Sequence, residues 1–173
     1  MARITHTKKH RIATVSQIVA LEKRVCAKLP ASYKKFLRTQ NGGKPAPNAF
    51  QLGGEVHIVE CFFPVRSVPC SHFQNMTVDD LSDWPVQCAW EDLQKDLHGL
   101  YADCGLDNQG YRLDRLLPIG TDGCSNYLCL VLDGDEAGSV VFFDHETAGV
   151  TPLADSFSEF LAMLRQSRSQ SAS

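Results

Sequence analysis

The N-terminal part of the chain has apolar residues at helical spacing. Between positions 15 and 29 they recur every three or four residues, at Val15, Ile18, Val19, Val25, Cys26 and Leu29. This spacing places the side chains on one face of an amphipathic helix. Pro30 should end the helix, because proline lacks an amide donor and disfavours helix at the preceding residue. The pattern predicts a first helix over residues 15–29, with this apolar face toward the core.

A second, shorter helix is predicted over residues 31–39. Its apolar positions, Tyr33, Phe36 and Leu37, would face the same core. The tripeptide Asn41-Gly42-Gly43 follows, and these residue types adopt the left-handed conformations that a helix end and a chain reversal need.

Beyond residue 48 the pattern changes to short β-prone runs. Predicted strands cover residues 50–52, 55–63, 127–132 and 139–143, and predicted helices cover residues 90–100 and a last segment that begins at Ser156. The last two strands flank a Gly- and Asp-rich connection, which is typical of an antiparallel hairpin. Ser156 and Glu159 have capping-box spacing. Helices at the ends and strands in the middle predict an α+β fold with N-terminal helices, a central antiparallel sheet and a C-terminal helix.

The length of 173 residues suits one domain with a substantial core. We predict that the domain covers residues 13–166, with flexible tails at 1–12 and 167–173. Residues 64–112 are interrupted by prolines and polar residues, and we interpret them as a candidate lineage-specific insertion within the domain.

The cysteines and the terminus bear on the cellular compartment. No stretch approaches the roughly 18 apolar residues of a membrane helix, and the basic N-terminus lacks an apolar signal core. The seven cysteines, at 26, 61, 70, 88, 104, 124 and 129, form no CxxC pair. Most lie in apolar runs, which fits free thiols that pack as small hydrophobes in a reducing compartment. We therefore expect a cytoplasmic protein without membrane association.

Charge is distributed unevenly along the chain. Residues 1–44 hold eleven Lys or Arg against Glu22 alone, a balance of +10, whereas residues 45–173 hold six bases against nineteen acids, a balance of -13. Residues 79–107 contain a single base, Lys95, and eight acids. The acids are Asp79, Asp80, Asp83, Glu91, Asp92, Asp96, Asp103 and Asp107. Two interpretations stay open: a solvated surface, or an acidic face that attracts a basic partner.

Cys124, with His145 as base and Asp122 nearby, is the first candidate for enzyme chemistry. Such a nucleophile needs the thiol and the imidazole within hydrogen-bonding reach, and no recognised motif surrounds Cys124. A cysteine in a turn beside a buried strand explains the residue equally well. A hydrolase or transferase that uses Cys124, His145 and Asp144 therefore remains a minor alternative.

Metal and nucleic-acid sites are weakly indicated. A zinc set drawn from Cys104, Cys124, Cys129 and His145 lacks close ligand pairs, and the His6 and His10 pair lies in the predicted tail. Asp133, Asp135, Gly138 and Asp144 occupy EF-hand positions 1, 3, 6 and 12, but strands flank them and the hairpin explains them better. Phosphate-binding loops and aromatic stacking platforms are missing from the sequence. We predict no metal, no cofactor and no direct nucleic-acid binding.

Two segments together resemble the SUKH superfamily, which includes bacterial toxin-immunity proteins and relatives of a yeast cell-wall assembly regulator. The resemblance lies at residues 15–63 and 113–165, and its motif residues are Leu29, Pro30, Tyr33, Phe36, Leu37, Asn41, Gly42, Gly43, Pro118, Gly120, Asp122, Gly123, Asn126 and Asp144. Cys124-Ser125 stands where relatives often have glycines.

The resemblance implies an α+β fold without catalytic machinery, and a cytoplasmic immunity protein that neutralises a cognate toxin, often a nuclease, by one-to-one binding. A regulatory or scaffold adaptor of the same fold is the alternative. We interpret the motif residues as structural. We expect a basic toxin to contact the acidic residues Asp79, Asp80, Asp83, Glu91, Asp92, Asp96 and Asp103.

Overall fold

The computed structural model describes residues 3–5, 11–67, 83–99 and 110–165. In chain order the elements are β1 (Arg3–Thr5), α1 (Val15–Arg24), α2 (Ala31–Thr39), β2 (Lys44–Ala46), β3 (Ala49–Leu52), β4 (Glu55–Ile58), β5 (Cys61–Phe62), α3 (Val86–Gly99), β6 (Leu116–Thr121), β7 (Tyr127–Val131), β8 (Val140–Phe143), β9 (Val150–Ala154) and α4 (Phe157–Met163). N-terminal helices, a central antiparallel sheet and a C-terminal helix confirm the predicted α+β fold. Of the helices described, none has the length and apolar character needed to cross a bilayer.

The main sheet has five antiparallel strands in the order β5-β6-β7-β8-β9. The predicted hairpin is its centre: Tyr127 pairs with Phe143 and Leu130 with Val140. Two smaller sheets, β1-β2 and β3-β4, each contain two antiparallel strands. Residues 1–12 were expected to be a tail, but three of them form β1 and pair with β2.

Both faces of the main sheet are buried. On one face Ile119, Leu128 and Phe142 belong to a large cluster with apolar side chains of α1, α2 and α4. On the other face Cys129 and Val141 pack in a second cluster with Leu93 of α3. Successive residues of a strand point to opposite faces, so a sheet covered on both sides reads as a continuous apolar run. This explains why β7 and β8 consist of apolar residues without polar ones between them.

Two strands of the sheet were not predicted, and each contains a proline. Proline cannot donate to a strand ladder, which is why it is confined to edges and bulges. In the internal strand β6, a register shift between Pro118 and Gly120 accommodates it. Pro152 lies in β9, the edge strand. The two prolines therefore hid the strand pattern of β6 and β9 in the sequence.

Several predicted boundaries also moved. The predicted strand over residues 55–63 divides into β4 and β5, which belong to different sheets. The predicted helix over 90–100 begins earlier, at Val86. The first helix ends at Arg24 rather than at residue 29, because Cys26 takes a left-handed conformation with φ of +50°. The last helix begins after Ser156 as predicted, and the Ser156 hydroxyl accepts the Glu159 amide at 3.2 Å.

The cysteines differ from the expectation at one position. Cys26, Cys61, Cys124 and Cys129 are free, as predicted. Cys88, at the start of α3, is disulfide-bonded. The prediction of free thiols throughout is therefore wrong for Cys88.

Candidate partner-binding surface

The motif residues of the first helical pair belong to the core. Tyr33 and Leu37 are fully buried, and the Tyr33 ring meets Phe157 of α4 edge-on with 5.1 Å between centroids. Phe36 contacts Phe62 and Phe157, with centroids 5.4 and 5.0 Å away. Burial raises the pKa of the Tyr33 phenol. These side chains join two helices to the sheet and leave nothing for a partner to contact.

Asn41 connects three parts of the chain from one buried position. Its amide nitrogen donates to the carbonyls of Arg11 at 2.7 Å and Val65 at 3.1 Å, and its oxygen accepts the Val65 amide at 2.8 Å. Its φ of +56° is left-handed, which asparagine tolerates better than most residues. Asn41 therefore joins the chain before α1 and the chain after β5 to the end of α2.

Gly42 and Gly43 allow the chain to pass directly beside β5. A Cβ atom on Gly42 would lie 2.8 Å from the Pro64 nitrogen and 2.9 Å from the Phe62 carbonyl oxygen. Gly43 exchanges two backbone hydrogen bonds with Phe62, both 2.9 Å long. Gly120 is similarly close to this strand, since a Cβ there would lie 2.6 Å from the Cys61 oxygen. Gly42 and Gly120 are therefore needed for the close approach of these backbones.

The second motif forms a hydrogen-bonded turn at one end of the main sheet. The Asp122 carboxylate accepts the Cys124 amide and the Asn126 side-chain amide, both at 2.8 Å. Asn126 Oδ1 in turn accepts the His145 backbone amide at 3.1 Å and contacts His145 Nδ1 at 2.9 Å. Because that oxygen can only accept, the Nδ1 atom carries the proton. The motif thereby ties the β6-β7 turn to the segment after β8.

Asp144 stabilises the next turn in the same manner. Its Oδ1 accepts the amides of Glu146 at 2.9 Å and Thr147 at 3.4 Å. Partial burial alone would raise the pKa of this carboxyl, but these hydrogen bonds and the neighbouring His145 outweigh it and lower the pKa. Its carboxylate is used within its own turn.

The geometry does not favour Cys124 as a nucleophile with His145 as its base. Cys124 is exposed and free, but its sulfur makes no hydrogen bond to His145 within the described part of the chain. The imidazole is instead oriented by Asn126 through Nδ1. The structure brings Cys124, Asn126 and His145 to one end of the sheet without forming a thiol–imidazole pair.

The other candidate metal ligands are separated or already engaged. Cys129 is buried within the sheet, whereas Cys124 is exposed, and Cys104, His6 and His10 lie outside the described residues. Asp133 accepts from Arg115 Nε at 2.9 Å, so the residue proposed for the first EF-hand position forms an ion pair. Among the residues the structure describes, no group of three or more His, Cys, Asp or Glu could hold a metal ion.

The acidic segment is only partly described. Asp79, Asp80, Asp103 and Asp107 lie outside the described residues. Asp83 is 8% exposed and pairs with Arg66 at 3.3 Å, so its charge is compensated inside the molecule. Glu91, Asp92 and Asp96 lie on α3, partly exposed. Of these, Glu91 pairs with Arg24 of α1, and Asp92 pairs with Lys95 at 3.1 Å.

Asp92 and Asp96 have the same charge one helical turn apart. Burial, and then the charge of Asp92, raise the pKa of the Asp96 carboxyl, while Lys95 acts in the opposite direction. Like charges at this spacing destabilise a helix. We call Glu91, Asp92 and Asp96 together the acidic surface. It is the part of the predicted site that the structure brings together.

A groove between α1 and α2 was missed at the sequence level. Its volume is about 480 Å³, and α2 contributes Lys34, Lys35 and Arg38 to its lining. Val15 and Val19 line the opposite side, and they are 60% and 38% exposed, although both were predicted to face the core. The sequence held no signal of this exposure, because apolar residues at positions 15, 18 and 19 have the spacing of an ordinary core-facing helix.

Glu22 also lines this groove, and its carboxylate is hydrogen-bonded within the fold. Its carboxylate accepts the Leu29 amide at 3.0 Å and the ammonium groups of Lys28 and Lys34, both at 3.1 Å. Burial would raise the pKa of Glu22, but these three donors outweigh it and lower the pKa. Glu22 therefore links the end of α1 to the connection before α2 and to Lys34 of α2.

Together these observations define an α+β domain with motif residues that build turns and with charged helices at its surface. The chain belongs to the SMI1 / KNR4 family (SUKH-1), whose family model matches residues 12–163. This match confirms the resemblance to the SUKH superfamily, and it is consistent with roles in toxin immunity or in regulation. No curated protein sequence matches the chain.

Proposed function

We propose that this protein is an immunity protein, which binds a cognate toxin domain one-to-one and blocks its active or substrate-binding surface. Family membership supports a role in protein–protein interaction. The motif residues support it indirectly, because Tyr33 is fully buried and Asn41 and Asn126 are hydrogen-bonded within the fold. The binding surface then lies elsewhere, and we propose the acidic surface on α3.

The spacing of Asp92 and Asp96 carries this placement, because the two partly exposed carboxylates lie one helical turn apart on α3. Two carboxylates one turn apart cost stability in the free protein, and only Lys95 lies between them. A cationic partner would offset the repulsion between these two carboxylates, which adds to the effect of burial in raising the pKa of Asp96. A basic toxin, such as a nuclease with a phosphate-binding face, has this charge. Complementary charge would also steer the two proteins together.

The location follows from the same proposal. An immunity protein of this kind would act in the cytoplasm of the cell that it protects. The disulfide at Cys88 counts against a reducing compartment, because such bonds persist mainly in oxidising ones. Labelling of thiols in protein taken directly from cells decides the matter, since a reduced Cys88 is expected from a cytoplasmic protein.

Affinity capture of the tagged protein from its host, with mass spectrometry of the stoichiometric bound species, tests the function. A single toxin-like polypeptide with a basic domain is expected, and inhibition of its activity at one-to-one stoichiometry would follow. A housekeeping complex would instead support the adaptor of the same fold.

Charge reversal with the captured toxin tests the surface. We expect Asp92→Lys with Asp96→Lys to slow association about tenfold or more at low salt and to flatten its salt dependence. The control is Glu55→Lys with Asp135→Lys, an equal change of charge at two exposed acids away from α3. Equal association rates for the two double variants would remove α3 from the interface while leaving the immunity function intact.

A further inference from the structure

We propose that the groove between α1 and α2 is a second docking surface, which binds an acidic amphipathic helix of a partner protein. This surface is called the cationic groove below, and it consists of Val15, Val19, Lys34, Lys35 and Arg38. It is separate from the acidic surface and has the opposite charge. The inference therefore does not depend on the proposed immunity function.

The apolar side of the groove is unusual for exposed helix surface. Val15 and Val19 are one helical turn apart on α1 and are 60% and 38% exposed, and Ile18 beneath them is buried. Residues four apart on a helix lie on the same face, so the two valines form a continuous apolar strip. Burying such side chains gives the favourable free energy that an apolar anchor of a partner would need.

The other side of the groove is cationic. Lys34, Lys35 and Arg38 lie on adjacent turns of α2 and line the groove. Lys34 is engaged by Glu22 at 3.1 Å. Among the described residues Lys35 and Arg38 have no acidic partner, and Glu22, the one acid of the lining, is already saturated. Two positive charges thus remain available beside the valine strip.

This combination selects the class of ligand. Carboxylates of a partner would pair with Lys35 and Arg38, while its apolar side chains cover Val15 and Val19. An amphipathic helix presents acidic and apolar side chains on adjacent faces, at the spacing needed to contact both sides of such a groove. A nucleic acid would satisfy the cations but would leave the valines uncovered, and no aromatic residue lines the groove for base stacking.

A titration with designed peptides tests the inference. The probe is a labelled helix of about 16 residues, long enough to fold, with leucines four residues apart and glutamates beside them. A second peptide carries lysine in place of each glutamate, and a third carries serine in place of each leucine. We expect only the first to bind, and we expect the NMR shifts that it causes to lie on α1 and α2.

Matched variants then separate the groove from general electrostatics. Lys35→Glu should weaken binding of the first peptide about tenfold, whereas Lys23→Glu should change it less than twofold, because Lys23 is an exposed α1 lysine outside the groove. Val15→Ser with Val19→Ser should weaken it by a similar factor without unfolding the protein, because both side chains are exposed.

Four results would overturn the inference, and three of them come from the peptide and DNA titrations. They are an absence of binding at about 1 mM peptide, equal weakening by Lys35→Glu and Lys23→Glu, and preferential binding of a DNA duplex at the same residues. A concentration-dependent dimer whose α1-α2 shifts disappear in Val15→Ser with Val19→Ser would also overturn it, because the groove would then be occupied by a second copy.

Discussion

In the turn after α2, the amide of Asn41 bonds to three backbone groups, whereas on α3 the carboxyl of Asp96 lies one turn from the like charge of Asp92. Both positions are polar, but Asn41 is hydrogen-bonded within the fold, whereas Asp96 is partly exposed and faces a like charge. The same contrast separates the motif turns from the two charged helical surfaces. The motif residues are buried or hydrogen-bonded within the fold, whereas the partly exposed charges of the helices are the groups that we propose a partner contacts.

The largest effect is expected at Gly42, where side-chain space and conformation both restrict substitution. Gly42→Ala should lower the free energy of unfolding by about 3 kcal/mol or more, since a left-handed alanine costs about 1–2 kcal/mol and overlap with packed atoms about 1–3 kcal/mol. Gly54→Ala is the control, because Gly54 has the same φ of +89° but no atom within 4 Å of a Cβ. Urea unfolding of both variants measures the difference, and equal losses would show that the close approach to β5 is unimportant.

Glu22 tests the satisfied side of the comparison at an ionisable group. Glu22→Ala should cost about 2 kcal/mol at neutral pH, because the buried Leu29 amide loses its acceptor. Glu22→Gln should cost less, since it keeps an acceptor oxygen.

The pH dependence of Glu22 follows from its lowered pKa. A carboxyl with a lower pKa in the folded state binds fewer protons there, so its stabilisation is present above its unfolded pKa of about 4.3 and is lost as the pH falls through the folded value. Unfolding curves of wild type and Glu22→Gln should converge in this acid range. A difference that is constant with pH would show that the charge of Glu22 contributes nothing.

The smallest effect, and the one of opposite sign, is expected at Asp96. Asp96→Asn should raise the free energy of unfolding at neutral pH by about 0.5 kcal/mol, because it removes repulsion between like charges one turn apart. The raised pKa means that protonation favours the folded state, so the gain is present at neutral pH and should disappear as the pH falls below about 3.9, the usual unfolded value.

The control for Asp96 is Asp135→Asn at an exposed turn residue, which should change stability little. Destabilisation by Asp96→Asn would mean that this carboxylate is satisfied in the free protein. The acidic surface would then lose the argument that distinguishes it from the motif turns.

Local signals predicted much of the fold. Pro30 and the apolar positions of residues 31–39 defined α2 to the residue, and Ser156 correctly began α4. These elements depend on neighbours a few positions away, which the chain itself displays. β6 and β9 were missed because Pro118 and Pro152 contradict strand propensity, and only a bulge and an edge position, respectively, make them acceptable.

The candidate sites divide in the same way. Seven acids were predicted to form a contact surface, but the sequence could not show that Asp83 is buried against Arg66 or that Glu91 reaches Arg24. The cationic groove was missed because Val15 looks like a core residue in the pattern. Whether an apolar or charged side chain is covered depends on contacts between residues far apart in the chain.

The sequence by itself determined the helices, the central hairpin, the α+β class and the family, because period, capping and turn chemistry are local properties of the chain. The tertiary structure alone decided which charged side chains are paired inside the molecule. Glu22 is satisfied because the connection after α1 brings the Leu29 amide and Lys28 to it and α2 brings Lys34, and Glu91 is paired because Arg24 of α1 reaches it. The free energy of a charge depends on its distance from other charges and from water, and only the folded chain sets those distances.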